Sequence, residues 1–216
     1  MHQEFWHDKW KTKDIKFDQP QPNQLLQKYS YKLDLKFTDR VFVPLCGKSV
    51  DMIWLIKQGY EVLGVELSPI ACELFFHENN IPVNITETDN YTIFQGEKIT
   101  LLSGDFFQLT KETLGKVDAV YDRAALIALP IDLRQLYTKH LANLLKPNTP
   151  ILLITMLYNV NEMEGPPFSI NEDEVKMLYG NNFHIQQLES KVMQSMPDHL
   201  KNKGVTQVSE PVYYLR

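Results

Sequence analysis

The sequence has few cysteines, no excess of positive charge and no long apolar run. Cys46 and Cys72 stand in no CxxC spacing, which argues against a disulfide framework and a structural zinc site. Lys and Arg number 22 against 27 Asp and Glu, so the formal net charge of −5 offers no basic field to nucleic acid. The longest apolar stretch, residues 151–158, is far shorter than the roughly 20 residues of a membrane-spanning helix. We therefore expect neither nucleic acid nor a membrane as a partner.

The sequence also lacks a metal-binding motif, internal repeats, low-complexity tracts and linkers. The six histidines are scattered, with no HExxH or similar arrangement, at positions His2, His7, His77, His140, His184 and His199. The proline clusters are too short to separate domains, so we predict a single domain over residues 1–216, with residues 1–34 as an N-terminal helical cover segment. The first residues mix charges with aromatics and carry no apolar secretion signal. We expect a cytoplasmic monomer.

The first half of the chain alternates helical and strand patterns. Residues 23–33 carry leucines and a tyrosine at helical spacing. Residues 40–45 are a short apolar run, residues 50–58 have helical spacing that Gly59 closes, and residues 61–66 are a second run. This order predicts a βαβ unit.

The alternation continues to the end of the chain. Further helices are predicted at residues 69–78, 133–145 and 171–179, and further strands at 99–102, 117–121 and 150–156. Strands that alternate with helices predict an α/β fold with a mostly parallel central sheet and helices on both faces. Residues 183–192 and 205–215 predict an antiparallel C-terminal hairpin at the sheet edge.

The turn after the first strand restricts the ligand. Gly47, Lys48 and Ser49 resemble the end of a P-loop, but that motif needs a glycine where Phe42 stands. A dinucleotide site needs GxGxxG, and this turn has one glycine. A nucleoside without phosphates remains, for which Glu66 lies 19 residues after Gly47, near the ~20-residue offset of a ribose-binding carboxylate. A solvated glutamate at a strand end is the alternative for Glu66.

Two later strand exits carry further candidates, because ligands of open α/β sheets lie beyond the carboxyl ends of the strands. Asp105 suits hydrogen bonding to an exocyclic amine and Phe106 suits stacking on a purine, although Phe106 or its neighbour Phe107 also fits a core position. Asp122 and Arg123 either line the site or pair structurally. Cys46 lies in the ligand turn, where a small buried thiol is a commoner role than a nucleophile.

Six blocks between Trp6 and Phe168 carry a further signal. They are WHDKW at 6–10, VPLCGKSVDM at 43–52, GVELS at 64–68, GDFF at 104–107, YDRAAL at 121–126 and GPPF at 165–168. In these blocks the chain resembles the thiopurine S-methyltransferase family of S-adenosylmethionine-dependent enzymes. The PLCGKS turn is specific, because general methyltransferases carry a glycine-rich turn instead. The resemblance implies the Rossmann-like class I methyltransferase fold.

The resemblance also implies residue roles and an activity. Methyl transfer to thiopurines or other aromatic or heterocyclic thiols would need no dedicated base, since such thiols are often ionised near neutral pH. Two alternatives stay open: a methyltransferase for another soft acceptor such as selenium or tellurium species, and a non-catalytic module that binds S-adenosylmethionine. The residues implied are Trp10, Leu45, Glu66, Asp105, Phe106 and Arg123 for S-adenosylmethionine, with Phe17 and Arg123 for the acceptor.

Overall fold

The computed structural model describes residues 3–216 and divides the chain into two compact units between Tyr121 and Asp122. Met1 and His2, which belong to the predicted N-terminal segment, lie outside the described residues. Strand β6 (Ala119–Arg123) runs across the division. The single-domain count stays a prediction. In the described part of the chain, no helix is long and apolar enough to cross a membrane.

The first unit contains short helices and strands, and its βαβ unit follows the order that the apolar runs predict. Its helices are α1 (Gln3–Lys11), α2 (Gln24–Tyr29), α3 (Asp51–Lys57), α4 (Pro69–Glu78) and α5 (Lys111–Leu114). Its strands besides β6 are β1 (Arg40–Pro44), β2 (Glu61–Glu66), β3 (Asn84–Glu87), β4 (Thr92–Gln95) and β5 (Ile99–Ser103). The boundaries of β2 and α4 agree with the sequence prediction.

The sheet of the first unit has the order β3-β4-β5-β2-β1-β6. Strand β2 pairs in parallel with β1 and β5, and β1 pairs in parallel with β6, so the centre is parallel as predicted. Strands β3 and β4 add an antiparallel hairpin beside β5 that the sequence analysis missed. All four side chains of β3 are exposed, so this strand has no apolar alternation to reveal it.

Local sequence fixes several element ends. The Asn23 side chain accepts hydrogen bonds from the N–H groups of Leu25 and Leu26 and caps α2. Pro69 occupies the first turn of α4, where its missing N–H costs nothing. Gly59 follows α3 with φ of +97°, a left-handed conformation that glycine adopts without strain. These signals place the βαβ unit that positions the site.

The second unit contains α6 (Ile131–Leu144), β7 (Ile151–Ile154), α7 (Glu172–Tyr179), β8 (Ile185–Val192), α8 (Asp198–Lys201) and β9 (Ser209–Leu215). Its strands follow the order β7-β9-β8, with β9 antiparallel to both neighbours. The antiparallel C-terminal pair is thus confirmed, with β8 at the edge. Its connection is long and includes α8, so the pair is not a tight hairpin.

Candidate functional site

The turn between β1 and α3 lies at the carboxyl end of a central parallel strand. Leu45 and Gly47 both have left-handed backbone angles, with φ of +46° and +53°. A Cβ atom on Gly47 would lie 3.3 Å from Cζ2 of Trp10, so the indole packs directly on the turn. Trp10 is 3% exposed. The structure therefore brings the predicted residues Trp10 and Leu45 to one turn.

Glu66 ends the neighbouring strand β2 and faces the same turn. Its Oε2 accepts the Gly47 N–H at 2.9 Å, and its Oε1 accepts the Ser68 N–H at 2.8 Å. The side chain is buried, so the alternative of a solvated strand end is wrong. Burial raises the pKa of Glu66, although the backbone hydrogen bonds from Ser68 and Gly47 act in the opposite direction. Gly47 and Glu66, which are 19 residues apart in the sequence, are thus in direct contact.

Ser68 is a further candidate site residue, which the sequence analysis did not single out. Its side chain is fully buried, and its Oγ has no hydrogen-bond partner among the described residues. A buried hydroxyl without a partner is uncommon in folded proteins and calls for an explanation such as a ligand or a water molecule. In the sequence, its position two residues after Glu66 is the feature that could have identified it.

The exit of β5 holds Asp105 and Phe106. The Asp105 Oδ1 accepts the Phe107 N–H at 2.9 Å and caps a short 3-10 helix, while its Oδ2 accepts a hydrogen bond from Gln3 Nε2 at 2.9 Å. The Tyr91 hydroxyl donates to the Asp105 carbonyl oxygen at 2.9 Å. Phe106 is buried and Phe107 is half-buried, so Phe106 fits the core position better, and its contact with the purine stays a prediction.

Aromatic contacts join Phe17 to the N-terminal helix. The ring of Phe17 packs edge-on against Trp10 at a centroid distance of 5.7 Å and against Trp6 at 5.8 Å. Phe17 is 36% exposed, whereas Trp10 is almost fully buried. The predicted acceptor residue thus lies beside the predicted donor residue Trp10.

Arg123 is the predicted site residue that belongs to the second unit, as the half-buried last residue of β6. Its neighbour Asp122 is fully buried and accepts hydrogen bonds from the Tyr137 hydroxyl at 2.7 Å and from the Leu126 N–H at 3.3 Å. Burial raises the pKa of Asp122 to about 6. Asp122 therefore has structural partners within the second unit.

Asp122→Asn is expected to alter how stability depends on pH. The folded-state pKa of about 6 lies above the ~3.9 of an unfolded aspartate, so the folded protein binds the extra proton between these values. Stability is then lost as pH rises through this window, by about 3 kcal/mol for two pKa units. Denaturant unfolding at stepped pH should show this loss in the wild type and not in Asp122→Asn. Parallel pH profiles for the two proteins would contradict the assignment.

Cys46 is buried in the turn between β1 and α3. Its Sγ lies 2.7 Å from the position that a Cβ on Gly64 would occupy, so the thiol packs against the backbone of β2. Burial raises the pKa of Cys46 well above its usual range, which disfavours the thiolate that a nucleophile needs. Both cysteines are free and buried. The structure favours the packing role over the nucleophile.

Comparison with known proteins identifies the family. The family model described as thiopurine S-methyltransferase matches residues 1–216. The chain belongs to the thiopurine S-methyltransferase family. A protein named thiopurine S-methyltransferase from Methylococcus capsulatus is 41% identical, with 100% of this chain and 98% of that protein covered. One of the same name from Nitrosospira multiformis is 43% identical, with the same two coverages. The chain is therefore an S-adenosylmethionine-dependent methyltransferase of this family.

Solved structures confirm the class I methyltransferase fold. Magnesium protoporphyrin IX methyltransferase from Synechocystis PCC 6803, with bound SAH, gives a TM-score of 0.64 at 16% identity and covers 99% of both chains. A 1,6-didemethyltoxoflavin-N1-methyltransferase from Burkholderia thailandensis gives 0.61 at 14% identity and covers 98% of this chain and 86% of that chain. At these identities the similarity concerns the fold alone.

Proposed function

We propose that this protein transfers a methyl group from S-adenosylmethionine to a small aromatic or heterocyclic thiol such as a thiopurine. The observation that carries the donor site is the buried Glu66 carboxylate, which is hydrogen-bonded to the Gly47 N–H and lies two residues from the unpartnered Ser68 hydroxyl. The thiol class is supported by the family and by the names of the curated relatives.

The residues around Glu66 and Gly47 fit a nucleoside without phosphates. The two oxygens of the Glu66 carboxylate offer about four lone-pair sites. Backbone N–H groups, among them those of Gly47 and Ser68, occupy part of these sites, and the remaining capacity suits ribose hydroxyls. The single glycine of the turn gives one close backbone approach, which suits a ribose and not a pyrophosphate. Asp105 and Phe106 are assigned to the adenine, and Leu45 to the donor through its place in the turn.

The chemistry requires exclusion of water more than a base. When bound, S-adenosylmethionine supplies an electrophilic methyl group on a sulfonium. Trp10 and Phe17 form an aromatic cover beside the turn of residues 45–49, the donor turn. Arg123 holds the acceptor as its thiolate because a guanidinium stays protonated. Orientation and desolvation together supply the rate, and effective-molarity data put such terms at roughly 7–11 kcal/mol. We assign no general base.

The absence of phosphate-binding glycines predicts ligand selectivity in a melting assay. S-adenosylmethionine and S-adenosylhomocysteine should raise the melting temperature, whereas ATP and NAD should not. By linkage, a ligand at 100 times its Kd adds about 2.7 kcal/mol to the free energy of unfolding. Equal stabilisation by ATP would show that the turn holds phosphates and would contradict this donor site.

An acceptor panel tests the thiol class. Methyl transfer from isotope-labelled S-adenosylmethionine should be fastest to thiopurines and other aromatic thiols. Transfer to selenium or tellurium species with no transfer to thiols would assign a different soft acceptor. Donor binding without transfer to any acceptor would assign a non-catalytic module. Either of these two results would overturn the proposed activity.

The proposal extends to the partners of the enzyme. We propose a small-molecule acceptor and no nucleic-acid partner, because the formal net charge of −5 provides no field for a phosphate backbone. We also propose a monomer located in the cytoplasm. Light scattering across a range of protein concentrations measures the oligomeric state, and the mass of a monomer, near 25.2 kDa, is expected.

A further inference from the structure

Lys48 follows Gly47 in the donor turn and contacts two carboxylates. Its Nζ lies 2.6 Å from Asp18 Oδ2 and 2.6 Å from Glu78 Oε2. The Lys48 side chain is 11% exposed, although the residue belongs to a surface turn. The turn lacks the glycines of a P-loop, so Lys48 is not expected to bind a phosphate. Its observed partners are the carboxylates of Asp18 and Glu78.

The two partners of Lys48 belong to different parts of the first unit. Glu78 is the last residue of α4, the helix that follows Glu66 in the chain. Asp18 lies one residue after Phe17. Both belong to residues 3–23, the part of the predicted cover segment that we call the N-terminal segment. Lys48 therefore connects the N-terminal segment to the βαβ unit that carries Glu66.

Residues on either side of Lys48 contact the same segment. Trp10 packs on Gly47, and the Asn23 N–H donates to Asp51 Oδ1 at 2.6 Å. Asp51 is buried at the start of α3 and also accepts a hydrogen bond from the Tyr121 hydroxyl at 2.8 Å. The turn and the start of α3 thus contact the segment at Trp10, Asp18 and Asn23. Among these contacts, the one through Asp18 joins two opposite charges.

The Asp18 arm of this network is better shielded from water than the Glu78 arm. The Asp18 side chain is 22% exposed and the Glu78 side chain is 46% exposed. Partly buried pairs are screened less by salt than exposed pairs. Burial alone would lower the pKa of Lys48, but the hydrogen bonds and charges of Asp18 and Glu78 outweigh it and raise the pKa. Lys48 therefore remains a cation at neutral pH.

We propose that Lys48 is a positioning residue that holds the N-terminal segment on the donor turn through Asp18, and thereby slows release of the donor. The inference rests on the proposed donor site at Gly47 and Glu66. Trp10 and Phe17 lie in the held segment, so its displacement uncovers the turn and withdraws Trp10, a residue assigned to the donor. Lys48 itself contacts neither donor nor acceptor in this account.

Asp18→Asn tests the inference because it removes the charge on the segment side and leaves Lys48 and Glu78 in place. In the donor-free protein, hydrogen exchange of residues 3–23 should become faster. The Kd for S-adenosylhomocysteine, measured by calorimetry, should rise by roughly fivefold, mostly through faster dissociation. The KM for S-adenosylmethionine should rise similarly, while kcat changes less than twofold. Lys48→Arg should keep donor affinity near the wild-type value, since it keeps the charge that pairs with Asp18.

Asp14→Asn is the matched control. Asp14 pairs with Lys9, which lies in the same segment, so its neutralisation leaves the contacts between segment and turn unchanged. Wild-type exchange in Asp18→Asn would overturn the inference, and so would faster exchange with wild-type donor affinity. Glu66→Ala separates this failure from failure of the donor site. If Glu66→Ala binds the donor normally, the donor site is wrong whatever Asp18→Asn shows.

Discussion

Replacing Glu66 with alanine is expected to weaken S-adenosylmethionine binding by about 1.5–3 kcal/mol, or roughly 10- to 150-fold in Kd. In the proposed donor site, both ribose hydroxyls lose a charged acceptor in this variant. Calorimetric titration with S-adenosylhomocysteine measures the loss without turnover. The effect is large because the carboxylate is buried, where water replaces a lost hydrogen bond poorly.

The Glu66 variant needs a stability control, because the N–H groups of Gly47 and Ser68 also lose their acceptor. Glu61→Ala provides it, since Glu61 begins the same strand β2 and forms a partly exposed ion pair with Arg40. We expect Glu61→Ala to bind the donor like the wild type. A folded Glu66→Ala protein with unchanged donor affinity would remove Glu66 from the site.

Arg123→Lys is expected to lower kcat/KM for an aromatic thiol by tenfold or more, equivalent to about 1.4 kcal/mol. Lysine keeps the charge but loses the planar fork that can hydrogen-bond an acceptor ring nitrogen and stabilise the thiolate. The bound thiol then ionises at higher pH, so the acid limb of the rate profile should move upward. Steady-state kinetics across pH measure both effects.

A purely structural role for Arg123 predicts a different result. If Arg123 serves only to neutralise Asp122, Arg123→Lys would lower the melting temperature while its folded fraction keeps normal kinetics. Arg40→Lys is the matched control, because Arg40 lies on β1 and forms a partly exposed ion pair with Glu61. Normal kinetics in folded Arg123→Lys would exclude the acceptor role.

The central elements and the position of Glu66 beside the Gly47 turn were predictable from sequence because their signals are local. Strand β2 is a buried apolar run that ends in Glu66, and Gly59 marks the end of α3 before it. Helix α4 begins at a proline in a first helical turn. In each case a short sequence pattern and the need to bury apolar side chains predict the same element, so the sequence alone is enough to locate it.

The features that the sequence analysis missed depend on distant partners or lack apolar patterning. Lys48 and Glu78 are 30 residues apart, and no spacing rule pairs them. The Ser68 hydroxyl becomes notable through burial without a partner, which only the folded chain reveals. Strand β3 is wholly exposed and pairs with β4 through its backbone, so its side chains carry no apolar signal.

A crystal structure of the protein with S-adenosylhomocysteine would test the donor site most directly. The distances that decide are those from the Glu66 carboxylate oxygens to the two ribose hydroxyl oxygens. We expect both hydroxyls within hydrogen-bond distance, about 2.5–3.0 Å, with Trp10 over the Gly47 turn. A ribose bound away from Glu66, with the Glu66 carboxylate still engaged only by the backbone of Gly47 and Ser68, would contradict the account.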